Sequence, residues 1–122
     1  MGLVLDTLAS DRVTGHLDVD ARHHQPYGIV HGGVWASVIE SMASIAAALR
    51  VAAHGLLCVG VNNTTDFLRS HRAGRIDAVA TPVHVGRLQQ LWLVVLTRGE
   101  DGKEVARGQV RLQNVSVAQL KG

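Results

Sequence analysis

Cysteine and aromatic residues are scarce in this sequence of 122 residues. Cys58 is the one cysteine, so an intrachain disulfide is excluded, and a small secreted domain without disulfides would be unusual. We therefore expect a reducing compartment and a cytoplasmic protein. The aromatic residues are two Trp, one Tyr and one Phe, whereas 47% of the chain is hydrophobic, so we expect a core of aliphatic side chains and Ala.

The sequence also lacks a strong excess of either charge. Its formal net charge is +2, and the arginines are spread along the chain rather than concentrated in one segment. This argues against a nucleic-acid partner and favours a small molecule. Single arginines can still bind the phosphates of such a ligand, because a guanidinium group matches phosphate oxygens in bidentate geometry.

A long uninterrupted hydrophobic run is missing as well. The apolar stretch from Val34 to Leu49 is broken by Glu40 and three serines, and no basic segment followed by an apolar run begins the chain. We therefore expect neither a signal peptide nor a membrane span, and no membrane partner.

The hydrophobic patterns that are present predict a strand, a loop, one long helix and four more strands. "RVTGHLDVD", from Arg12, alternates apolar and polar residues as a half-buried strand does. From Val34 onward, apolar residues recur every three or four positions, which is typical of a helix, and Gly55 suits its C-terminal end. Four β-like stretches then occupy residues 56–68, 75–86, 88–99 and 104–117, the last two joined by an Asp-Gly turn.

This order predicts an α+β fold in a single domain, residues 1–122, with the helix on one face of an antiparallel sheet. The segment "LWLVVL" is apolar at both alternations, which indicates a central strand that is buried on both faces. One helix cannot cover both faces, so we expect a second subunit to cover the other.

Glu40 is the unusual residue of the predicted helix. On a helical wheel it falls with Ser37, Ser41 and Ser44, opposite the apolar side, and alanines flank this group. Small residues around one carboxylate allow another backbone to approach, which favours a crevice or a subunit interface and a proton-accepting role. The alternative is an ordinary solvated surface glutamate.

Gly32 and Gly33 lie where the helix begins. The first amide groups of a helix have no partner within it, and glycine lets a ligand approach them. An amide there could polarise a thioester or ester carbonyl, although a Gly-Gly pair can also simply make a tight turn into a helix. Gly32 and Glu40 are about 12 Å apart along the axis, so one chain cannot easily place both at a small reacting centre. A dimer that brings one chain's Glu40 towards the other's Gly32 would solve this geometry.

These residues carry a likeness to a known family. The stretch "QPYGIVHGGVWASVIESMAS", followed by "NNTTDFLR" and "VHVGR", resembles the hotdog-fold acyl-CoA thioesterases of the PaaI-like group. It looks closest to the branch of 4-hydroxybenzoyl-CoA and 1,4-dihydroxy-2-naphthoyl-CoA thioesterases. The likeness implies an antiparallel sheet wrapped around one central helix, sheets joined edge to edge in a homodimer with the active sites between chains, and pairing of dimers into tetramers.

The resemblance also implies roles for five residues. Glu40 would be the nucleophile or the general base, and the sequence leaves these two routes open. The amide of Gly32 would polarise the thioester carbonyl, with His31 and Gln25 near the same oxygen or the thiol leaving group. Ser44 matches a hydroxyl that helps to hold the attacking water.

Coenzyme A is part of the substrate in this family, so the resemblance implies no cofactor. It makes basic, hydroxyl and glycine residues candidates for binding the coenzyme A phosphates, namely Arg69, Ser70, Arg72, Gly86 and Arg87. Relatives often carry Ser or Thr directly after the Gly-Arg pair, whereas this chain has Leu88 and Gln89.

Other chemistries fit the sequence less well. A hotdog hydratase or dehydratase uses an Asp-His pair placed differently, and a non-catalytic acyl-CoA sensor would not need Glu40. His23, His24 and His31 lack the spacing of a metal site, so we expect none. Cys58 is interpreted as a packing residue and not a nucleophile.

Overall fold

Residues 2–121, which the computed structural model describes, form a β-sheet and one long helix. The strands are β1 (Val4–Ala9), β2 (Arg12–Val19), β3 (Leu57–Phe67), β4 (Gly74–Val85), β5 (Gln89–Arg98) and β6 (Glu104–Val115). The long helix is α1 (Gly32–Val51), a short helix α2 (Val117–Lys121) follows β6, and 3-10 turns cover Ala21–His23 and Ala52–His54.

The strands form one antiparallel sheet in the order β1-β2-β4-β5-β6-β3. The predicted antiparallel sheet with a single long helix is therefore confirmed, with every predicted strand in its expected place. Strand β1 was not predicted, because all six of its residues are exposed and its sequence shows no alternation. In the described part of the chain, β1 and β3 are the edge strands.

Helix α1 packs across the inner face of the sheet, along β3, β6, β5, β4 and β2. Its buried side includes Trp35, Ile39 and Met42, and the inward residues of the strands include the fully buried Leu17 and Trp92. Each such side chain contributes about 1.5–3 kcal/mol through its burial. The helix begins at Gly32, two residues before Val34, where the apolar periodicity of the sequence begins.

The outer face of the sheet remains uncovered by the chain itself. On β5, Trp92, Val94 and Leu96 point inward and are fully buried, whereas the outward Leu91 and Val95 are only half-buried. The prediction that "LWLVVL" is buried on both faces is thus met on one face within the chain. Cover of the other face by a second subunit stays a prediction.

The region from Gly32 to His54 is long and apolar enough, by composition alone, to cross a bilayer, with a mean hydropathy of 1.4. The core helix of a globular domain passes the same test. Here Trp35, Val38, Ile39 and Met42 lie against the sheet, so the interior of the fold accounts for the apolar composition of this helix.

Candidate active site

The start of α1 leaves one backbone amide free. His31 is the N-cap, and its Nδ1 accepts a hydrogen bond from the Gly33 N–H at 2.9 Å, while the Val34 N–H donates to the His31 carbonyl. Within residues 2–121 no acceptor binds the Gly32 N–H. This amide lies at the positive end of the helix dipole and can donate to a ligand oxygen. Because Nδ1 accepts, a neutral His31 carries its proton on Nε2.

A cleft of about 260 Å³ opens over this amide. Predicted residues from two parts of the sequence line it together: Gln25 and Gly32 from the region before and at the helix start, and Arg69 and Ser70 from the segment after β3. A Cβ on Gly32 would lie 2.9 Å from the ring of Phe67. Any larger residue at position 32 would therefore displace that ring or cover the amide.

The loop before α1 is fixed by backbone hydrogen bonds. The Gln25 N–H donates to the Ile29 carbonyl at 2.8 Å, and the Gly28 N–H donates back to the Gln25 carbonyl. The Val30 N–H donates to the His71 carbonyl at 2.9 Å, which ties the loop to the segment after β3. Gln25 is thus held at the cleft by a closed turn.

Glu40 lies in a different hollow, further along α1. Ser37, Ser41, Ser44 and Ile45 line this hollow with it, which confirms the grouping drawn from the helical wheel. In the isolated chain Glu40 is exposed, so the protomer itself does not sequester the carboxylate. A Cβ on Gly60, in the edge strand β3, would lie 3.9 Å from Glu40 Oε1, so the carboxylate reaches the edge of the sheet.

The chain therefore carries the predicted acid and the predicted carbonyl-polarising amide in two separate places. Gly32 lines the first cleft and Glu40 the second hollow, eight residues and about 12 Å apart along the helix axis. A thioester carbonyl and its attacking water need both groups within a few ångströms. One chain does not provide that arrangement.

The candidate phosphate-binding residues divide into three groups. Arg69 and Ser70 line the Gly32 cleft, where Arg69 Nη1 also donates to the Glu104 carbonyl. Arg72 lies outside this lining and donates to the Gly28 carbonyl at 3.2 Å. Gly86 and Arg87 lie in a third cleft, beside the C-terminal end of α1.

Sequence reasoning missed the part that Phe67 plays in the cleft. Phe67 is 60% exposed at the end of an edge strand. The chain has only four aromatic residues, and an aromatic residue in a polar stretch of so few was the one sign in the sequence that Phe67 could have a role in a site. Trp35 is 2% exposed and packs in the core, but it also contributes to the cleft wall. Asn62 and Asp66 line a groove on the outer face of the sheet, whereas Asn63 donates to the Ala36 carbonyl of α1.

Cys58 does more than pack. Its Sγ lies 3.5 Å from Asn114 Oδ1 and from Gln90 Nε2, inside a polar cluster that no pattern in the sequence predicts. Burial raises the pKa of the Cys58 thiol, which lowers its thiolate fraction and opposes a nucleophilic role.

Among residues 2–121, no three His, Cys, Asp or Glu side chains are grouped as a metal site would require. His31 serves as a helix cap, and the His24 ring contacts the Arg72 carbonyl. The absence of a metal in the reaction stays a prediction.

Comparison with known proteins identifies the same family by sequence and by structure. The model of the thioesterase superfamily matches residues 27–105. The Mycobacterium tuberculosis protein Rv1847, named a candidate esterase, is 49% identical over 117 residues, which are 94% of this chain and 83% of that protein. Its structure matches with a TM-score of 0.91 at 47% identity, over 95% of this chain and 93% of that chain.

Two further relatives carry more specific names. The proofreading thioesterase EntH of Cronobacter sakazakii is 33% identical over 96 residues, 79% of this chain and 69% of that protein. The E. coli PaaI protein from the phenylacetic acid degradation operon matches with a TM-score of 0.85 over 93% of this chain and 80% of that chain; at 21% identity, this shows the fold alone. The predicted hotdog fold is confirmed.

Proposed function

The chain belongs to the thioesterase superfamily, and we propose that it hydrolyses an acyl-CoA thioester to the free acid and coenzyme A. The proposal is carried by one observation: a free Gly32 amide at the start of α1, in a cleft with Gln25. Oxyanion stabilisation requires such an unpaired donor. The names of esterase and thioesterase relatives support hydrolysis in general.

In the proposed mechanism the thioester carbonyl oxygen accepts a hydrogen bond from the Gly32 N–H. Glu40 removes a proton from water, the water oxygen bonds to the carbonyl carbon, and negative charge forms on the carbonyl oxygen beside Gly32. The C–S bond then breaks, and the proton passes to the thiolate. In the alternative route the Glu40 carboxylate attacks the carbonyl carbon, the C–S bond breaks with release of the CoA thiolate, and water hydrolyses the resulting anhydride to the free acid and the Glu40 carboxylate.

Three polar side chains have supporting parts in this proposal. Gln25 lines the cleft and is a second donor for the carbonyl oxygen or the thiolate. His31 lies outside that lining, in a neighbouring hollow with Gly33 and Ser37, and the Nε2–H of its neutral form, free of the cap bond, is proposed as a further donor. Ser44 is one turn after Glu40 in the same hollow, and its hydroxyl can hold the attacking water.

The mechanism requires a homodimer in which Glu40 of one protomer meets Gly32 of the other. Strand β3 is a sheet edge of 11 residues in the described chain, and its outer row of backbone groups is a template for pairing with another strand. Glu40 reaches this edge beside Gly60. We propose that two β3 strands join the sheets and that such dimers pair into tetramers.

Val61→Asp should disrupt this dimer. Val61 lies at the irregularity of β3 between Gly60 and Asn62 and is 52% exposed. A carboxylate on a sheet edge opposes pairing because it must be desolvated. We expect a monomer by light scattering, with most of the thioesterase activity lost. Val83→Asp is the matched control, since Val83 is 53% exposed but lies on the internal strand β4; a dimeric, active Val61→Asp protein would contradict the proposed edge pairing.

The acyl group is proposed to be aromatic or otherwise compact, as in the 4-hydroxybenzoyl-CoA and 1,4-dihydroxy-2-naphthoyl-CoA branch. The cleft over Gly32 is small, at about 260 Å³, and Phe67 and Trp35 contribute to its wall. Release of thiol from benzoyl-CoA and from fatty acyl-CoA substrates, followed with a thiol reagent, tests this. We expect faster turnover of the aryl substrates; substrate binding without thiol release would favour a sensor, and water addition to an enoyl substrate a hydratase.

A further inference from the structure

We propose that Asn63, on the inward face of β3, is a positioning residue that holds the turn of α1 bearing Glu40 at a fixed place on this edge strand. Asn63 Nδ2 donates to the Ala36 carbonyl of α1 at 3.1 Å. In an α-helix the same carbonyl accepts the N–H of the residue four positions later, which here is Glu40. Asn63 therefore binds the turn that carries Glu40. This inference rests on the proposed function and adds a residue to which the family likeness gives no role.

An asparagine at this place in a strand needs an explanation. Side chains that face α1 from the other strands are mostly apolar, and strands favour β-branched and aromatic residues. Asn63 pairs across β3 and β6 with Val110, which is fully buried, and its own side chain is half-buried. A polar group there loses contact with water and requires a hydrogen-bond partner. The Ala36 carbonyl is that partner, so the bond to α1 accounts for the residue type.

The amide of Asn63 is fixed in one orientation. Its Oδ1 accepts a hydrogen bond from Thr65 Oγ1 at 2.6 Å, and its Nδ2 faces the Ala36 carbonyl, which can accept but not donate. Thr65 has room for this bond because Gly108 lies opposite it on β6: a Cβ at position 108 would lie 2.8 Å from Thr65 Oγ1. That Cβ would also lie 3.0 Å from Ile39 Cγ2, so the glycine lets α1 come close to the sheet at this point.

Strand β3 contacts the first half of α1 at three successive levels. The contacting pairs are, in order, Phe67 with Gly32, Asn63 with Ala36, and Gly60 with Glu40. Both elements advance by three or four residues from one pair to the next, so the strand and the helix run side by side in opposite directions. The contact of Asn63 is a directional hydrogen bond, whereas the other two are close approaches to a glycine. Asn63 therefore sets the position of α1 along β3, between the two groups that the proposed reaction uses.

This position affects the reaction because the proposed dimer is joined through β3. In that dimer the Gly32 amide of one protomer holds the carbonyl, and Glu40 of the other protomer acts on it. The two helices are related to each other through the paired β3 strands, so a shift of α1 along its own β3 moves Glu40 relative to the carbonyl. A displacement of about 1 Å can cost about 10²-fold in rate.

Asn63→Leu tests the inference, because leucine is similar in size but has no donor. The Ala36 carbonyl keeps its bond to the Glu40 N–H, so this acceptor is not left without a partner. We expect kcat for an acyl-CoA thioester to fall by about 10- to 100-fold while KM stays within about twofold of the wild type. In the Glu40→Gln background the same substitution should leave kcat unchanged, since Asn63 acts through Glu40. Thermal melting and light scattering monitor folding and dimerisation.

Thr65→Val is a second variant, which tests the inference even if Asn63→Leu does not fold. Valine keeps the β-branched shape but lacks the hydroxyl that orients the Asn63 amide, so we expect kcat to fall by about three- to tenfold, again without effect in the Glu40→Gln background. Thr64→Val is the matched control and should keep the wild-type kcat. Thr64 is the next residue of β3, but it lies on the outer face of the sheet, where its Oγ1 donates to Asn62 Oδ1 at 3.1 Å.

An unchanged kcat in each of the two variants that folds, or an equal fall with and without Glu40, would overturn the inference while leaving thioester hydrolysis intact. If the wild-type protein hydrolyses no acyl-CoA thioester, the proposed function fails, and amide hydrogen exchange then tests the inference by itself. We expect Asn63→Leu, or Thr65→Val in its place, to speed exchange at the Glu40 amide by about tenfold relative to amides in the last turns of α1. Exchange that is unchanged, or that rises uniformly along α1, would overturn the inference.

Discussion

Glu40→Gln should lower kcat by about 10²- to 10⁴-fold, the contribution of a general base, or by more if Glu40 is the nucleophile. The amide keeps the size of the side chain but cannot accept a proton from water. Glu40 is exposed in the protomer, and its side chain forms no hydrogen bond or ion pair within residues 2–121, so we expect the variant to fold and to dimerise normally. Thiol release under saturating acyl-CoA measures the loss, and retained substrate binding separates it from misfolding.

Ser37→Ala provides the matched control for this prediction. Ser37 lies in the same hollow as Glu40 and is exposed, but no chemical role is proposed for it. Its activity should stay close to that of the wild type. A Glu40→Gln protein with wild-type kcat would remove Glu40 from the mechanism, whatever the Ser37 variant shows.

Mixing two inactive proteins should restore activity if the site is shared between chains. Gly32→Ala is the second partner, because its methyl group would fill the space beside the amide and would lie 2.9 Å from the Phe67 ring. The substituted residue keeps its N–H, but a methyl group that keeps the carbonyl oxygen away from it has the effect of losing one oxyanion donor, about 10²- to 10³-fold in kcat, so each parent is nearly inactive. A mixed dimer of Glu40→Gln and Gly32→Ala protomers then contains one site with both groups intact and one with both altered.

Random reassociation gives about half mixed dimers, each with one intact site of two, so we expect about a quarter of the wild-type activity. The measurement is thiol release after the two variants are dissociated in denaturant and refolded together. Each variant refolded alone is the control and should stay inactive. If both groups served a site within one chain, no mixed dimer would contain an intact site, and recovery would be nil.

Much of the fold could be predicted from the sequence because hydrophobic periodicity determines which face of each element is buried. The three- and four-residue recurrence of Trp35, Ile39 and Met42 indicated α1, and the Asp-Gly turn between β5 and β6 appears with Gly102 at a φ of 72°. Strand β1 pairs with β2 on one side and buries none of its residues, so it leaves no such pattern. Besides backbone pairing, it is joined to β2 by Asp6, whose carboxylate lies 2.8 Å from Nδ1 of His16, and neither residue is part of an apolar pattern.

The candidate site also has parts that could be predicted from the sequence and parts that could not. Gly32 and His31 could be recognised as a helix start because capping is a local interaction among neighbouring residues. The contact of Phe67 with Gly32 and the hydrogen bonds of Asn114 to the β4–β5 turn join residues about 30 positions apart. No period or spacing in the sequence encodes such contacts. How two protomers would meet is harder still to predict from the sequence, because it depends on the shape and chemistry of the folded surface and not on the order of residues.

The separation of Glu40 from Gly32 along one helix has a consequence for how the activity scales with the amount of protein. If the site is shared as proposed, a lone chain holds half of each of two reaction centres, and turnover requires an encounter between copies. Below the dissociation constant of the pair, the rate should rise with the square of protein concentration, and above it linearly. Dilution alone would then abolish the activity, and a newly synthesised chain would be inactive until it formed a dimer with another.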